Sequence, residues 1–512
     1  MVFKVYSGRT GGVCGDLITV EVDASGGLPG LEIIGLPGSD VKEARDRVRV
    51  ALKNSGISLP AMKIIINLSP ADEHKEGSGF DLAIAVALLG VFAHIPAFEP
   101  TSTLVMGELS LDGKVTSVRG ILPIVKMAAE RGFKRVILPK DNAAEGALIK
   151  GIDIIPVSNL SEVMAYMLLE EEEAKKLIPP YVRDGIDFET GEVTEDFFEV
   201  VGQEGVKRAA GIAAAGFHHL LMIGPPGTGK SLVAKRIPGI MPPLTYQESL
   251  EVSAIYSVAG KLDDEMPFVK TRPFWAPHHG ASSQAIVGGG QLAKPGLVSL
   301  SHRGILFLDE MPEFRKETLD MLRQPLEDGK ITVSRAKKTY TYPAKFMLVG
   351  AMNPCPCGYF PDRNRCLCTK PQVDKYLAKI SGPVLDRIDI CVEVSRMDPH
   401  EIADGSGRGL SSAELRKNVE RAVITQKERY KNEKFKFNAE LPSSKIREYV
   451  PLGERENEFL YSIYDDMKLS MRSFYKLIRV ARTIADFDGD SRVEIRHLAE
   501  ASCYRFPEYM GG

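Results

Sequence analysis

The chain has 512 residues, of which 44% are hydrophobic and 26% charged, a balance that is ordinary for a large globular protein. Its 65 lysines and arginines against 68 acidic residues give a net charge of −3, which excludes nucleic-acid binding through a uniformly basic surface. Any contact with nucleic acid therefore needs a local basic stripe, and the length predicts about two to four domains.

The sequence predicts a cytoplasmic protein with no membrane segment. Its first five residues, Met1–Val5, lack the charged-then-apolar pattern of a signal peptide. The longest uncharged stretch, Leu82–Phe98, contains Gly90, His94 and Pro96, and is more simply a buried helix with its exit than a membrane span. In this compartment the seven cysteines are expected to be reduced thiols or metal ligands.

Residues 1–169 alternate short strand patterns with helical patterns. The predicted strands are Leu17–Val22, Lys63–Leu68, Leu104–Leu109 and Arg135–Pro139. The predicted helices are Asp40–Asn54, Phe80–Leu89 and Ile121–Arg131. A glutamate run and the prolines after Ile178 then predict a linker over residues 170–198.

Two short segments of this first region resemble parts of Lon-type protease domains. Gly107–Val115 resembles their strand–turn–strand pattern, and Lys75–Gly79 resembles the loop that holds their nucleophile. The resemblance implies an α+β Lon-protease-like domain over residues 1–169.

The residues at the Lon active-site positions predict that this domain is not proteolytic. The nucleophile's position falls on Gly79, and Leu122-Pro123 stands where the activating lysine is expected. Without an amine to take its proton, a serine hydroxyl is a poor nucleophile. An active protease would need Ser78 paired with another lysine, such as Lys75 or Lys114. We expect a scaffold or a recruitment surface instead.

The segment Gly224–Ser231 reads GPPGTGKS, and it lies between the apolar run Leu220–Ile223 and the helical pattern Leu232–Arg236. This order of strand, glycine-rich loop and helix is that of a phosphate-binding loop. We expect Lys230 to reach the β- and γ-phosphates of ATP and Ser231 to hold Mg²⁺. The predicted nucleotide-binding residues are Gly224, Pro225, Pro226, Gly227, Thr228, Gly229, Lys230, Ser231 and Asp309.

Further apolar runs predict the other strands of the same parallel sheet. Ile305–Leu308 ends in Asp309 and Glu310, which suits an acid that orients Mg²⁺ beside an acid that activates water. An acidic surface pair is the alternative, although surface strands rarely carry four consecutive apolar residues. The run Phe346–Val349 leads to Asn353, whose amide suits contact with water or the γ-phosphate.

These motifs resemble an AAA+ ATPase of the magnesium-chelatase-like group, and within it the ComM/YifB family. The motifs are GPPGTGKS, GILFLDE, GAMNPCPCG, SGPVLDRID and LSMRSFYKLIRVARTIADFDG, and the likeness covers essentially the whole chain. The resemblance implies that Lys230 and Ser231 belong to Walker A, and that Asp309 and Glu310 belong to Walker B. It also implies that Asn353 is the sensor 1 residue, Arg387 the arginine finger and Arg472 the sensor 2 arginine. The alternatives are a salt bridge of Arg387 with Asp386 or Asp389, and a solvated helix charge for Arg472.

Four cysteines cluster as two CxC pairs, Cys355 with Cys357 and Cys366 with Cys368. Four thiolates can close a tetrahedral zinc shell, and the loop between the pairs can bring them together. CxC is less diagnostic than CxxC, so unligated loop thiols and a redox pair remain alternatives. A structural Zn²⁺ here would brace the loop after Asn353.

The segment Ile331–Tyr342 alternates like a hairpin, and its turn carries Arg335, Lys337 and Lys338, followed by tyrosines. Cations neutralise phosphates and aromatic rings stack on bases, so this pattern favours a sequence-independent DNA contact. A solvated charged hairpin is the alternative. In related ring ATPases a hairpin at this position enters the central pore.

The adjacent histidines His278 and His279 invite a metal interpretation. Neighbouring residues on a strand point to opposite faces, so a shared ion is awkward. We expect structural or ligand contacts from them instead.

The complete fold prediction is a multidomain α/β protein in which an AAA+ P-loop parallel sheet precedes a C-terminal helical lid and follows the α+β Lon-protease-like domain. The nucleotide domain is expected over residues 199–398 and the lid over 399–512. The predicted lid helices are Ser411–Tyr430, Glu454–Lys468, Met471–Phe487 and Ile495–Tyr504.

The resemblance implies a homo-oligomeric ring, a hexamer, that uses ATP and Mg²⁺ to move along single-stranded or branched DNA. The specific hypothesis is a helicase or branch-migration motor in natural transformation and recombination. A magnesium-chelatase-like motor subunit and an AAA+ protein remodeller are the alternatives. Chelatase motor subunits usually lack the Lon-like module and the CxC pairs.

Overall fold

The computed structural model describes nine stretches of the chain. These are residues 2–72, 74–92, 94–95, 100–183, 195–262, 266–290, 293–335, 338–396 and 410–506. They form two compact units, one made of Met1–Asp187 with Tyr246–Val269 and the other of Phe188–Thr245 with Lys270–Gly512. Among the described helices, none combines the length and apolarity needed to cross a membrane.

The described strands, in chain order, are β1 Phe3–Gly11, β2 Cys14–Ser25, β3 Gly30–Ile34, β4 Lys63–Ser69, β5 Thr103–Val105, β6 Glu108–Leu109, β7 Val115–Thr116, β8 Arg135–Pro139, β9 Asp153–Val157, β10 Leu220–Ile223, β11 Phe274–Trp275, β12 Gly288–Gly289, β13 Lys294–Pro295, β14 Ile305–Leu308, β15 Lys330–Arg335, β16 Lys338–Pro343, β17 Met347–Met352 and β18 Ile390–Glu393.

The described α-helices are α1 Ser39–Asn54, α2 Asp81–Val91, α3 Ile121–Glu130, α4 Ala143–Gly146, α5 Leu160–Leu168, α6 Glu171–Leu177, α7 Glu204–Gly216, α8 Lys230–Ile240, α9 Tyr246–Ala259, α10 Ser283–Val287, α11 Leu297–Leu300, α12 Lys316–Met321, α13 Arg323–Asp328, α14 Lys370–Leu377, α15 Gly382–Leu385, α16 Ser412–Arg429, α17 Ile446–Tyr449, α18 Glu454–Asp466, α19 Met471–Asp488 and α20 Ile495–Cys503.

The first unit is built on a mixed seven-stranded sheet of order β3-β4-β2-β1-β5-β8-β9. Antiparallel pairing of β1 with β2 sets Lys4 opposite Glu21, and their side chains form an ion pair at 2.8 Å. The strands β5, β8 and β9 pair in parallel. Helix α2 is buried over most of its length, which confirms the buried-helix prediction for the described start of Leu82–Phe98.

Two differences from the sequence expectation concern the edges of this unit. The predicted linker 170–198 begins with helix α6, because Ala174 is buried in the apolar core of the unit. Helix α9 also belongs to this unit, although it follows the nucleotide-loop helix in sequence. Gly120 donates its N–H to the Ser257 carbonyl at 3.2 Å, and the Tyr246 hydroxyl donates to the Leu148 carbonyl.

The second unit is built on a five-stranded parallel sheet of order β11-β14-β17-β10-β18. Every residue of β10, β14 and β17 is buried, as the short apolar runs predict for strands covered on both faces. The helices α16, α18, α19 and α20 confirm the four predicted C-terminal helices to within two residues at each end. Val419 and Ile484 from these helices share one core with Ala213 of α7 and Val349 of β17.

A two-stranded hairpin stands apart from that sheet. β15 pairs antiparallel with β16 from Lys330 opposite Pro343 to Arg335 opposite Lys338, which confirms the hairpin. Lys337 lies outside the described residues. Tyr342 is buried, and its hydroxyl donates to the Ala293 carbonyl at 2.7 Å. Burial raises the pKa of Tyr342 to about 12. This tyrosine therefore offers no stacking face, contrary to the expectation.

Candidate nucleotide site

The glycine-rich loop connects the end of β10 to helix α8, which begins at Lys230. Gly227 and Gly229 have φ angles of 77° and 84°, in the left-handed region that side chains disfavour. A Cβ at either position meets nothing within 4 Å, so the backbone angle and not space requires glycine. A helix N-terminus behind such a loop offers free N–H groups and a positive dipole end to an anion.

Lys230 lies at the centre of the site, where its ammonium group donates hydrogen bonds to neutral oxygens. Its Nζ donates to the carbonyls of Gly224 at 2.8 Å and Pro225 at 2.7 Å. It also donates to the Asn353 side-chain oxygen at 3.3 Å. Burial lowers the pKa of Lys230, and the charges of Asp309 and Glu310 oppose that effect. A buried ammonium among neutral dipoles is well suited to receive an anion.

Ser231, the next residue of the chain, contacts Asp309. The Ser231 hydroxyl donates to the Asp309 Oδ2 at 2.6 Å. A hydroxyl and a carboxylate are the oxygen ligands that Mg²⁺ takes beside nucleotide phosphates. These two residues therefore fit the predicted metal position.

Glu310 follows at the end of β14 with an unusual backbone. Its φ is 49°, and its N–H donates to the Asp309 Oδ1 at 2.9 Å. Its side chain is 60% exposed, and Glu310 Oε2 lies 3.6 Å from His279 Nδ1. The rings of His278 and His279 lie 4.1 Å apart between centroids, because this segment follows β11 as a loop and not as the expected strand.

The parallel sheet explains why these residues meet. Ile223 of β10 pairs with Met352 of β17, and Leu308 of β14 pairs with Gly350 of β17. The carboxyl ends of parallel strands lie at one edge of a sheet, so the loop after Ile223, the acids after Leu308 and Asn353 share that edge.

The four clustered cysteines come together just beyond Asn353. The sulfurs of Cys355 and Cys357 are 3.3 Å apart, and Cys366 lies 3.7 Å and 3.6 Å from them. Cys368 completes a group whose sulfurs all lie within 4.8 Å of one another. A tetrahedral zinc with bonds of about 2.3 Å places its sulfurs about 3.8 Å apart. The arrangement fits one tetrahedral metal ion.

The loop that carries the four cysteines (residues 355–368, the cysteine loop) also packs against the glycine-rich loop (residues 224–231, the nucleotide loop). A Cβ on Gly358 would lie 2.5 Å from the Pro226 Cδ, and Gly358 has a φ of 85°. A substitution there strains the backbone and pushes on the glycine-rich loop. The position of the nucleotide loop is therefore coupled to the fold of the cysteine loop.

Arg387 and Arg472 lie elsewhere in the second unit, around a cavity of about 420 Å³. Arg387 donates to the carboxylate of Glu327, and Arg472 Nη1 lies 4.0 Å from the same carboxylate. The partner of Arg387 is thus neither Asp386 nor Asp389, the two partners considered from the sequence. Arg479, Lys476, Lys345 and Lys434 also line the cavity.

The sheet places these two arginines far from the nucleotide loop of their own chain. Arg387 precedes β18, whose Ile390 pairs with Leu220 at the start of β10. The loop leaves the opposite end of β10, and a four-residue strand spans about 13 Å. Arg472 lies near Arg387, because both arginines contact the carboxylate of Glu327.

The remaining predicted positions belong to other elements of the chain. The backbones of Arg335 and Lys338 are paired at the end of the β15–β16 hairpin. In the first unit, Leu122 is buried, and its N–H donates to Glu145 Oε1 at 2.9 Å. A Cβ on Gly79 would lie 3.1 Å from the Met106 side chain. Gly79 thus faces apolar side chains, and the backbone of Leu122 is bound by a buried carboxylate.

The chain matches three family models in sequence order. Residues 20–142 match the model described as subunit ChlI of Mg-chelatase, 196–402 the model of magnesium chelatase subunit ChlI, and 409–505 its C-terminal model. An archaeal Lon protease of Pyrococcus abyssi is 30% identical over 151 residues, which are 28% of this chain and 15% of that one.

Two relatives are similar over almost their whole length. YifB of Salmonella typhimurium, described as uncharacterized, is 42% identical over 96% of this chain and 95% of its own. Competence protein ComM of Haemophilus influenzae is 40% identical over 98% of this chain and 97% of its own. The parallel sheet with its glycine-rich loop and helical lid agrees with these matches. The chain belongs to the ComM/YifB family of magnesium-chelatase-like AAA+ proteins.

Proposed function

We propose that this protein is an ATP-driven, ring-shaped DNA motor that separates strands and drives branch migration in natural transformation and recombination. The convergence of Lys230, Ser231, Asp309, Glu310 and Asn353 at one sheet edge is the observation that carries the ATPase part. Similarity to a competence protein over 98% of the chain supports the DNA part.

In this proposal each residue of the site has a separate task. Lys230 binds the β- and γ-phosphates, while Ser231 and Asp309 hold Mg²⁺, which neutralises phosphate charge when it is bound. Glu310 takes the proton of the attacking water, and its exposed carboxylate is accessible for that step. Asn353 orients the water or the γ-phosphate from beside Lys230.

Arg387 and Arg472 are proposed to act on the nucleotide of a neighbouring subunit. They lie at the sheet edge opposite to the loop of their own chain, about one strand length away. A guanidinium from the next subunit would stabilise the charge that develops on the γ-phosphate. Such a role needs a neighbouring subunit, and we propose a hexamer.

The hairpin of β15 and β16 is the proposed DNA contact. The sequence at the ends of and between these two strands holds Arg335, Lys337 and Lys338 within four residues, whereas the whole chain is slightly acidic. A hairpin tip of this charge can bind phosphates without reading bases.

We also propose that Cys355, Cys357, Cys366 and Cys368 hold a structural Zn²⁺. Their sulfur distances support a closed tetrahedral site, which is the form of structural zinc centres. The first unit is proposed to be a non-proteolytic scaffold, because Gly79 and Leu122 stand at the Lon nucleophile and lysine positions. Peptide hydrolysis that depends on Ser78 would contradict that part.

A strand-displacement assay tests the proposal. Purified protein with ATP and a fluorescently labelled four-way junction is expected to release labelled duplex products, and Glu310→Gln is the matched variant that should not. Junctions that stay intact with ATP, while ATP is being hydrolysed, would contradict the DNA part and favour a protein-remodelling motor.

A further inference from the structure

Glu327 joins the two arginines that line the cavity. It lies near the end of helix α13, and its Oε2 accepts a hydrogen bond from Arg387 Nη2. Its other oxygen, Oε1, lies 4.0 Å from Arg472 Nη1. Each carboxylate oxygen therefore faces a different guanidinium.

Arg387 is withdrawn from solvent behind this carboxylate. The Arg387 side chain is 8% exposed, whereas the Glu327 side chain is 54% exposed. Arg387 Nη1 donates to the Pro383 carbonyl at 2.6 Å, and its buried Nε has no hydrogen-bond partner among the described residues. A phosphate that approaches Arg387 must replace one of its ligands, and the solvent-accessible charged ligand is Glu327.

We infer that Glu327 is a competitive latch for the two arginines. In the separate subunit its carboxylate takes the place of the neighbour's γ-phosphate, and nucleotide-loaded ring assembly displaces it. A carboxylate and a phosphate bind guanidinium through the same charge-assisted, two-oxygen geometry, so the two anions exclude each other. This inference rests on the proposed function, in which Arg387 and Arg472 act across a subunit interface.

A neutral isostere separates the latch from a merely structural role. Glu327→Gln keeps the shape of the side chain and removes its charge. We expect the protein concentration that gives half-maximal ATPase activity to fall about two- to tenfold, the range for a partly exposed charge-assisted hydrogen bond. The kcat at saturating protein concentration should stay at the parental value, because Arg387 itself is intact.

Asp328→Asn is the matched control, since it removes one negative charge from the next residue of the same cavity. It should leave the half-maximal concentration unchanged. Glu327→Ala should give the same shift as Glu327→Gln, and sedimentation with a non-hydrolysable ATP analogue should show assembly at correspondingly lower protein concentration. An equal shift in the Asp328→Asn control would overturn the latch.

The Arg387→Ala variant distinguishes failure of the latch from failure of the proposed function. If Arg387→Ala hydrolyses ATP at the parental rate at every protein concentration, the interface role of Arg387 is wrong. If Arg387→Ala is impaired but Glu327→Gln behaves as the parent protein, the latch is wrong while the proposed function stands. A fall in kcat for Glu327→Gln would also overturn the latch, because it would mean that Glu327 holds Arg387 in its active position.

Discussion

Lys230 and Asn353 meet although 123 positions separate them in the chain, and their contact shows how single residues define this site. The lysine is buried among carbonyl and amide oxygens, and Ser231 contacts Asp309 beside it. Four polar side chains that follow three neighbouring strands are thus held together at one sheet edge. Their separate tasks in the proposal give separable consequences on mutation.

Substitution of Lys230 and of Glu310 should affect different steps. Lys230→Ala removes the cation for the phosphates, so nucleotide binding should be lost. Glu310→Gln keeps binding but cannot take a proton, and hydrolysis should fall by about 100-fold or more. Fluorescent-nucleotide binding and steady-state ATPase assays check both results. Near-normal turnover of Glu310→Gln would show that another group is the base.

His219 should make the stability of the second unit depend on pH. Its Nδ1 accepts the Leu348 N–H at 3.0 Å, and burial lowers the pKa of His219 from 6.5 to about 4. Between these values the unfolded chain binds more protons than the folded one, so stability is present above pH 6.5 and is lost as the pH falls towards 4.

The His219→Asn variant tests this dependence because its amide oxygen can replace the Nδ1 acceptor. The thermal midpoint of the variant should decline less steeply between pH 6.5 and 4 than that of the parent protein. His278→Asn, at an exposed histidine, serves as the control and should keep the parental slope. Equal slopes for all three proteins would contradict the assignment to His219.

Residue partners were predictable only where a motif fixes them. Ser231 and Asp309 each follow a recognisable strand, so their meeting could be expected. Glu327 could not be matched to Arg387 from the sequence, because the two are 60 positions apart on short elements. The contact between Glu310 and His279 depends on a loop after β11 whose shape has no periodic signal.

At the scale of elements, hydrophobic periodicity predicted the strands and helices that are buried in the cores. It did not predict the breaks and helices that depend on contacts between residues distant in the sequence. The strands β10 and β14 coincide with the predicted apolar runs, since burial on both faces leaves a continuous apolar signal. The predicted strand Leu104–Leu109 is two strands, β5 and β6, with Met106 and Gly107 between them. Helix α6 was expected to be part of a linker, because most of its residues are charged and a single buried alanine, Ala174, gives no recognisable apolar pattern.

The cysteine loop gives a prediction for metal content. Anaerobically purified protein should carry about one zinc per chain, and Cys366→Ser with Cys368→Ser should release it, because two thiolates cannot close the shell. Elemental analysis by mass spectrometry measures the ratio. Cys14→Ser and Cys503→Ser, at exposed thiols outside the cluster, are the controls and should retain the metal.

Loss of zinc should also weaken nucleotide binding, because Gly358 of the cysteine loop contacts Pro226 of the nucleotide loop. Nucleotide titrations on the double-serine variant measure this effect. Absence of zinc from the anaerobically purified parent protein would contradict the metal assignment itself.

The basic hairpin gives a prediction for DNA binding. Replacing Arg335, Lys337 and Lys338 by alanine should strongly reduce the DNA-stimulated ATPase activity and leave the basal ATPase activity unchanged. The salt dependence of DNA binding should weaken by a slope of about 0.7 to 0.9 per lost phosphate contact. Lys330→Ala, on the same strand but away from the tip, is the matched control.

Binding titrations at several salt concentrations measure the slope. If the hairpin is only a solvated charged surface, its cations contribute little and neither property should change. Parental strand displacement by the triple variant would place the DNA path elsewhere.

At the scale of the whole molecule, the proposal assigns Arg387 to the nucleotide of a neighbouring subunit, so a single subunit would lack one group of its site. Arg387→Ala should bind ATP, because its own loop is intact, yet it should hydrolyse ATP poorly. Mixed rings with Lys230→Ala should recover part of the activity, since some interfaces then combine an intact Lys230 with an intact Arg387. Activity is measured after subunit exchange, with each variant alone as control. A complete lack of recovery would indicate that Arg387 acts within its own subunit.

The grouping of helix α9 with the first unit also belongs to this scale. Its residues follow α8 directly, yet Ser257 accepts the N–H groups of Gly120 and Leu122. Local periodicity cannot show to which unit a helix belongs, because the helical sequence pattern is the same in either case. The family matches span both units and therefore could not indicate this division either.

The most direct test of an ATP-driven DNA motor is the ATPase rate of the full chain with and without branched DNA. The rate should rise severalfold with a four-way junction and should stay at the basal level in the hairpin triple variant. Glu310→Gln should hydrolyse ATP about 100-fold or more slowly than the parent protein in either condition. An ATPase rate that the junction leaves unchanged, in a protein that binds and hydrolyses ATP, would contradict the assignment of DNA as the substrate.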